Sequence, residues 1–243
     1  MRIVISSPPK MGNKWLKCLL GTAYGLEWLL GDDTPATNPS QYERWVAEGN
    51  FTDNAIFHQH CRYTAKICDI TDAIPAHMVT IVRDPYDTFV SMFYWLQTRS
   101  AYDKERDKVR PRERPKDVLI GKAIDDPEVL EFLATTYEEY LRRGVDWTQS
   151  GRAVVARYEN LHKDPVAELT KVTNQIKPVD EATIRRAIDV CQADNMRTMS
   201  KKMSQHIRSA SVGDSKKRLS EAHLEIFRTK YADYVRELGY EVR

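Results

Sequence analysis

The stretch that most constrains this chain is Ser7-Pro8-Pro9-Lys10-Met11-Gly12-Asn13-Lys14-Trp15, because the apolar pattern changes period across it. Before it, Ile3-Val4-Ile5 is a short β-branched run of the kind that forms a buried strand. After it, Trp15, Leu16, Leu19, Leu20, Ala23 and Leu26 recur at helical spacing, predicting a helix from about Asn13 to Leu30 that stops at Gly31-Asp32-Asp33. The order is therefore strand, tight Pro/Gly turn, helix. The first amides of such a helix lack intrahelical acceptors, and its dipole adds partial positive charge there. With Lys10 and Lys14 in the turn, the stretch is suited to a phosphate or a sulfate. The nucleotide-triphosphate spacing G-x-x-x-x-G-K-[ST] is absent, and no Ser or Thr follows a Gly-Lys pair to hold magnesium. An ordinary strand–helix turn with two solvated lysines is the alternative on this stretch alone.

Bulk properties narrow the class. The 243 residues suffice for one large α/β domain or two small ones, and 42% hydrophobic content is that of a chain with a real core. A net charge of +2 gives no support to general nucleic-acid binding. The four cysteines, Cys18, Cys61, Cys68 and Cys191, show no C-x-x-C spacing. There is no 18-residue apolar run, and the first residues lead straight into a strand. The expectation is a cytoplasmic protein with free thiols and no membrane partner.

Further along, Thr34 to Asn54 reads as a polar segment carrying Tyr42, Trp45 and Phe51, aromatics that line a pocket or anchor the loop. Ala55 to His60 reads as a strand with His58 and His60 on one face, and Ala65 to Ile74 as a short helix. His77 to Val82 is the clearest buried strand, leading into Arg83-Asp84-Pro85-Tyr86-Asp87 and a new apolar helical face at Phe89, Val90, Phe93 and Tyr94. Arg99 to Asp117 holds eight basic and five acidic residues and reads as a mobile charged loop or lid. A helix is predicted over Pro127–Arg143, a strand over Ala153–Tyr158 and a helix opening at Asp164-Pro165. Helices follow over Asp180–Gln192, Ala193–Met203 and Ser220–Leu238. Between Met196 and Arg218 there are seven Lys or Arg against one acid, Asp214. Alternating strands and helices imply a parallel sheet covered on both faces, with ligands outside the carboxyl ends of its strands. The lysine turn, the histidines, the Arg83 turn and Tyr158 all fall at such ends.

At this level of detail the sequence resembles the cytosolic-type sulfotransferases that use 3′-phosphoadenosine 5′-phosphosulfate (PAPS). Their P-K-[ST]-G-[TN]-[TK]-W loop stands here as Pro9-Lys10-Met11-Gly12-Asn13-Lys14-Trp15. Their R-[ND]-P-x-D with a serine eight residues after the arginine stands as Arg83-Asp84-Pro85-Tyr86-Asp87 and Ser91. Their Y-E-[DN]-L before D-P stands as Tyr158-Glu159-Asn160-Leu161 and Asp164-Pro165. Of their late R-K-G-x-x-G-D-W, only Arg208, Gly213 and Asp214 remain, with Ser209, Ala210 and Ser215 replacing the rest.

The resemblance implies a three-layer α/β fold, a central parallel β-sheet flanked by helices as in P-loop kinases, with residues 1–243 forming a single domain. It implies sulfuryl transfer from PAPS to a hydroxyl or amine, leaving adenosine 3′,5′-bisphosphate (PAP), with no metal required. Lys10, Met11, Gly12, Asn13, Lys14 and Trp15 would hold the 5′-phosphosulfate. Arg83, Ser91, Arg208 and Gly213 belong to the 3′-phosphate clamp, where Lys201, Lys202, Lys216 or Lys217 could replace the missing lysine. Trp15 and Tyr158 would pack on the adenine. His60, with His58 in reserve, is the implied general base, and Lys10 with Lys14 would stabilise the departing oxygen. The remaining histidines, His77, His162, His206 and His223, lack motif context and read as structural or surface. A metal site at His58, His60, Cys61 and Cys68 is disfavoured by its loose spacing. The implied partner is a small-molecule or natural-product acceptor, not a nucleic acid or a membrane, and a homodimer is compatible. The competing readings are a nucleotide or nucleoside kinase and a non-catalytic PAP-binding protein.

Overall fold

The computed structural model describes residues 1–29, 35, 37–99, 115–199 and 211–243. Its elements are β1 (Arg2–Ser6), α1 (Asn13–Tyr24), β2 (Glu27–Trp28), α2 (Pro39–Ala47), β3 (Ala55–Gln59), α3 (Ala65–Asp72), β4 (Ala76–Val82) and α4 (Pro85–Arg99). After a 3₁₀ turn (Pro115–Leu119) come α5 (Pro127–Thr135), α6 (Glu138–Gln149), β5 (Val154–Arg157), α7 (Tyr158–Lys163), α8 (Pro165–Ile176) and α9 (Glu181–Val190). The last are α10 (Ala193–Met199), α11 (Ser215–Arg218), α12 (Glu221–Lys230) and α13 (Ala232–Glu237). These residues group into two compact units, Met1–Arg83 with Arg143–Met196, and Asp84–Arg142 with Arg197–Arg243.

The first unit holds a five-stranded parallel sheet flanked by helices, in the order β2-β3-β1-β4-β5. β1 lies between β3 and β4, with Ile3 opposite Ile56 on one side and His77 on the other. The β-branched run at Ile3-Val4-Ile5 is buried on both faces, as a central parallel strand must be. The chain runs from β1 to β2 and β3 on one side and then crosses to β4 and β5 on the other, so the carboxyl ends of β1 and β4 form the switch point of the sheet.

Several boundaries differ from the sequence expectation, each for a local reason. α1 stops at Tyr24 because Gly25 takes a left-handed cap at φ 64, and the chain then adds the short edge strand β2. The segment expected as a polar loop contains α2, started by Pro39 at its first position and by the Asn38 side chain, which accepts from the Ser40 and Gln41 amides. Its aromatics are anchors: Trp45 packs on Phe51 and Phe57, each at 5.5 Å between ring centroids. The Tyr42 hydroxyl meets Thr71 at 3.0 Å, and burial pushes it up to about 12. The helix expected over 127–143 is broken after Thr135 into α5 and α6. Tyr158 opens α7 rather than ending the strand.

The expectation of four free thiols is corrected. Cys18 on α1 and Cys191, which caps α9, form a disulfide with 5.8 Å between their Cα atoms across 173 residues of sequence. The pairing was invisible to spacing because it depends on α1 packing against α9. Cys61 and Cys68 are free and buried.

The second unit packs around aromatics: Tyr86 on Phe227 at 4.1 Å, Phe89 on Tyr137 at 5.3 Å, and Phe227 on Tyr231 at 5.9 Å. The helix expected over 220–238 breaks at Tyr231 into α12 and α13. Of the charged loop expected over 99–117, residues 100–114 lie outside the described residues. Among the described residues, no helix is long and apolar enough to cross a membrane.

Candidate functional site

The loop between β1 and α1 is shaped by its own side chains. The Asn13 Nδ2 donates to the Pro8 carbonyl at 2.9 Å, while its Oδ1 is bonded by the Ser7 hydroxyl. Both residues are buried, so Asn13 closes the turn rather than facing outward. Lys10 and Gly12 adopt positive φ, 71° and 106°. Gly12 is the residue before the helix, and its carbonyl accepts from the Leu16 amide at 3.0 Å. The amides of Asn13, Lys14 and Trp15 thus open the helix without intrahelical acceptors, with Lys10 and Lys14 on either side. Met11 is fully buried, so its side chain anchors the loop.

Two further segments meet this loop within the first unit. Arg83, leaving β4, donates to the Lys10 carbonyl at 3.2 Å and lies 4.2 Å from the centre of the Tyr158 ring. Tyr158 also fills the space over Gly12: a Cβ there would stand 2.7 Å from its ring. Trp15 meets Tyr158 edge-on at 5.6 Å, and His162 on α7 stands 6.2 Å from Trp15. The ends of β1, β4 and β5, far apart in sequence, therefore bring together a guanidinium, a helix start, an aromatic wall and the loop that carries Lys10 and Lys14.

His60 follows the end of β3 and reaches the same loop. Its Nδ1 bonds the Ser7 carbonyl at 2.7 Å; a carbonyl only accepts, so Nδ1 carries a proton, and in the neutral ring the lone pair is on Nε2. The backbone around it is braced, with Arg143 donating to the His60 carbonyl at 2.7 Å and the Trp147 indole to the Cys61 carbonyl at 2.9 Å. His58 is one pleat back, inside β3 opposite Ile5. The two rings stand 5.9 Å apart. Burial pushes the Cys61 thiol up to about 11, so it is an inert neighbour rather than a nucleophile near neutral pH. Among the described residues, no group of three His, Cys, Asp or Glu is arranged to hold a metal ion.

The remaining expected residues belong to the second unit. Ser91 sits half-buried on α4. Gly213, at φ 82, donates its amide to Asp87 Oδ2 at 2.6 Å, which commits that amide to the protein itself. Arg208, Lys201 and Lys202 lie outside the described residues, whereas Lys216 and Lys217 are exposed on α11. Asp87 stands in a recognisable motif, but its partner Gly213 is 126 residues away. Arg143 and Ser7 carry no motif signal for their roles, since both meet His60, 83 and 53 residues away in sequence.

The chain matches the family model described as the sulfotransferase domain over residues 1–239. Among solved structures it is similar to mouse sulfotransferase SULT7A1 complexed with PAP, with a TM-score of 0.68 and 17% identity over 97% of this chain and 84% of that one. It is also similar to retinol dehydratase with androsterone and inactive cofactor PAP (TM-score 0.61, 14% identity, 100% and 82% covered). A third match is retinol dehydratase with retinol and PAP (TM-score 0.63, 13% identity, 100% and 82% covered). A search of curated protein sequences returned no significant match. At these identities the structural likeness speaks for the fold.

Proposed function

The chain belongs to the sulfotransferase domain family, and from that premise we propose that it moves a sulfuryl group from PAPS to a hydroxyl or amine of a small-molecule acceptor. The observation that carries the reading is the meeting of Lys10, Gly12, Arg83 and Tyr158 at the carboxyl edge of the sheet. The donor set fits an adenine nucleotide charged at both ends. A helix start flanked by lysines suits the 5′-phosphosulfate, a guanidinium suits the 3′-phosphate, and Trp15 with Tyr158 offers ring surface to the base. That the similar structures are described as PAP complexes supports the same nucleotide.

In this reading His60 is the general base. The hydrogen bond from Nδ1 to the Ser7 carbonyl holds the ring in the tautomer whose Nε2 accepts the acceptor's proton. As the proton leaves, the acceptor oxygen or nitrogen bonds to sulfur, and the bond from sulfur to the bridging phosphate oxygen breaks. Lys10, Lys14 and the α1 amides neutralise the charge that develops on that oxygen. Arg83 orients the nucleotide through its 3′-phosphate.

Labelled PAPS offered with a panel of phenols, alcohols and amines tests the reaction, and calorimetry with PAP tests the site. We expect PAP to bind without magnesium and label to pass to at least one acceptor. His60→Ala should cut turnover by about 10²–10⁴-fold while PAP affinity stays within threefold. Binding of ATP with magnesium but not PAP would favour a kinase, and tight PAP binding with no acceptor labelled would favour a non-catalytic binder.

A further inference from the structure

The family's late motif is the one this chain departs from most, and in the second unit what remains of it is tied to α4 through Asp87 and Arg243. Asp87, buried on the first turn of α4, accepts the Gly213 amide at 2.6 Å and the Ser215 amide at 2.9 Å. One carboxylate thus holds the segment through two backbone amides. One helical turn after Asp87 comes Ser91, and three residues later Tyr94, on the same face of α4. Arg218, at the end of α11, lies 5.2 Å from the centre of the Tyr94 ring. The 213–218 segment is thus fixed to α4 on both sides of Ser91.

A second fastening closes this arrangement from Arg243. Its guanidinium donates to both Asp84 oxygens at 3.0 Å and to the Ser215 hydroxyl at 3.2 Å, while lying 3.8 Å over the Tyr86 ring. Its amide donates to the Tyr86 hydroxyl at 3.0 Å, and its carbonyl accepts from Arg228 at 3.3 Å. Asp84 in turn caps α4, its Oδ1 accepting from the Tyr86 and Asp87 amides at 2.8 and 3.1 Å. One side chain therefore joins the turn of the Arg83-Asp84-Pro85-Tyr86-Asp87 motif to the residue that stands where the family carries tryptophan.

We propose that Arg243 is a positioning residue for recognition of the nucleotide's 3′-phosphate: by bridging Asp84 and Ser215 it holds the 213–218 segment along α4 beside Ser91. The inference rests on the sulfotransferase reading above. A guanidinium is required because its planar fork reaches a carboxylate and a hydroxyl at once, which a single ammonium does not. Without the bridge the segment keeps its Asp87 and Arg218 contacts but loses its tie to Asp84 at the start of α4, so the loss falls on the 3′-phosphate and not on the 5′ end.

The test is calorimetry of PAP and of adenosine 5′-monophosphate, which lacks the 3′-phosphate, on wild type, Arg243→Ala, Arg243→Lys and Ser215→Ala. We expect Arg243→Ala to raise the Kd for PAP about tenfold or more, with the monophosphate Kd within about threefold. Ser215→Ala should move the PAP-to-monophosphate ratio in the same direction by less, and it carries the test if Arg243→Ala does not fold. Equal weakening of both nucleotides, an unchanged ratio, or full recovery by Arg243→Lys would overturn the assignment. Wild type binding neither nucleotide would instead overturn the sulfotransferase reading, so the two failures are distinct.

Discussion

Gly12 is a position where a single methyl group carries two separate penalties. Its φ of 106° lies in the region that L side chains avoid, and a Cβ would meet the Tyr158 ring at 2.7 Å. The left-handed backbone alone costs about 1–2 kcal/mol for a non-glycine residue. The contact must then be relieved by moving Tyr158, on which Arg83 stacks. Gly12→Ala should therefore lower the melting temperature by a few degrees, roughly 2–4 °C per kcal/mol for a chain of this size, and weaken PAP binding about tenfold or more. Melting and calorimetry on one preparation check both effects. A variant that loses stability but binds PAP normally would separate the loop's shape from the nucleotide site. Gly12 could be singled out in the sequence because its neighbours form a motif, but its reason could not: Tyr158 is 146 residues away.

Among the elements, α12 carries the clearest dependence on pH. His223 occupies the third helical position of a capping box, its Nδ1 accepting the Ser220 amide at 3.2 Å and its Nε2–H donating to the Ile124 carbonyl at 3.0 Å. The Ser220 amide bond needs the neutral ring, because a protonated Nδ1 has no lone pair to accept with. Burial is the largest influence and pushes His223 below its usual range, against the Ile124 hydrogen bond and the Asp125 charge. The unfolded chain thus takes up a proton near pH 6.5 that the folded chain resists. Stability from this residue is complete above about pH 6.5 and is lost as pH falls below it. His223→Gln, which keeps a capping side chain without the titration, should flatten the fall in melting temperature between pH 7.5 and 5; an unchanged slope would clear His223 of the effect. The Cys18–Cys191 link joins α1 to the end of α9 across 173 residues. Closing so long a loop contributes about 2–5 kcal/mol. Dithiothreitol should therefore lower the wild-type melting temperature by about 5–15 °C and leave a Cys18→Ser, Cys191→Ser variant unmoved. Both features were illegible for the same reason. Periodicity marks which face of α1 is buried, but not that α9 covers it, and it left His223 open between a structural and a surface role because its partners come from the turn before α5 and from the helix cap.

Across the whole molecule, what the sequence made readable was the alternation of period, and with it the carboxyl edge of the sheet. Lys10, His60, Arg83 and Tyr158 were expected there, and they follow β1, β3, β4 and β5 in the structure. Strand order was not readable, since nothing in Ile3-Val4-Ile5 says that β3 and β4 lie on either side. The late clamp was least readable, because Asp87 and Arg243 act on residues 126 and 28 positions away. The proposed nucleotide residues are spread along the chain, so binding should be felt in the stability of the chain as a whole. A ligand that binds only the folded state at 100 times its Kd adds about 2.7 kcal/mol. For a chain of 243 residues that corresponds to roughly 5–10 °C in melting temperature. PAP without magnesium should give a shift of that size. Adenosine 5′-monophosphate at the same concentration should give less, because in the proposed reading Arg83 then has no 3′-phosphate to hold. Salt should shrink the PAP shift more than the monophosphate shift, since the extra phosphate binds through charge that ions screen. If the two nucleotides shift the melting temperature equally at every salt concentration, the 3′-phosphate is not being read, and Arg83 is only a brace between the Lys10 carbonyl and the Tyr158 ring.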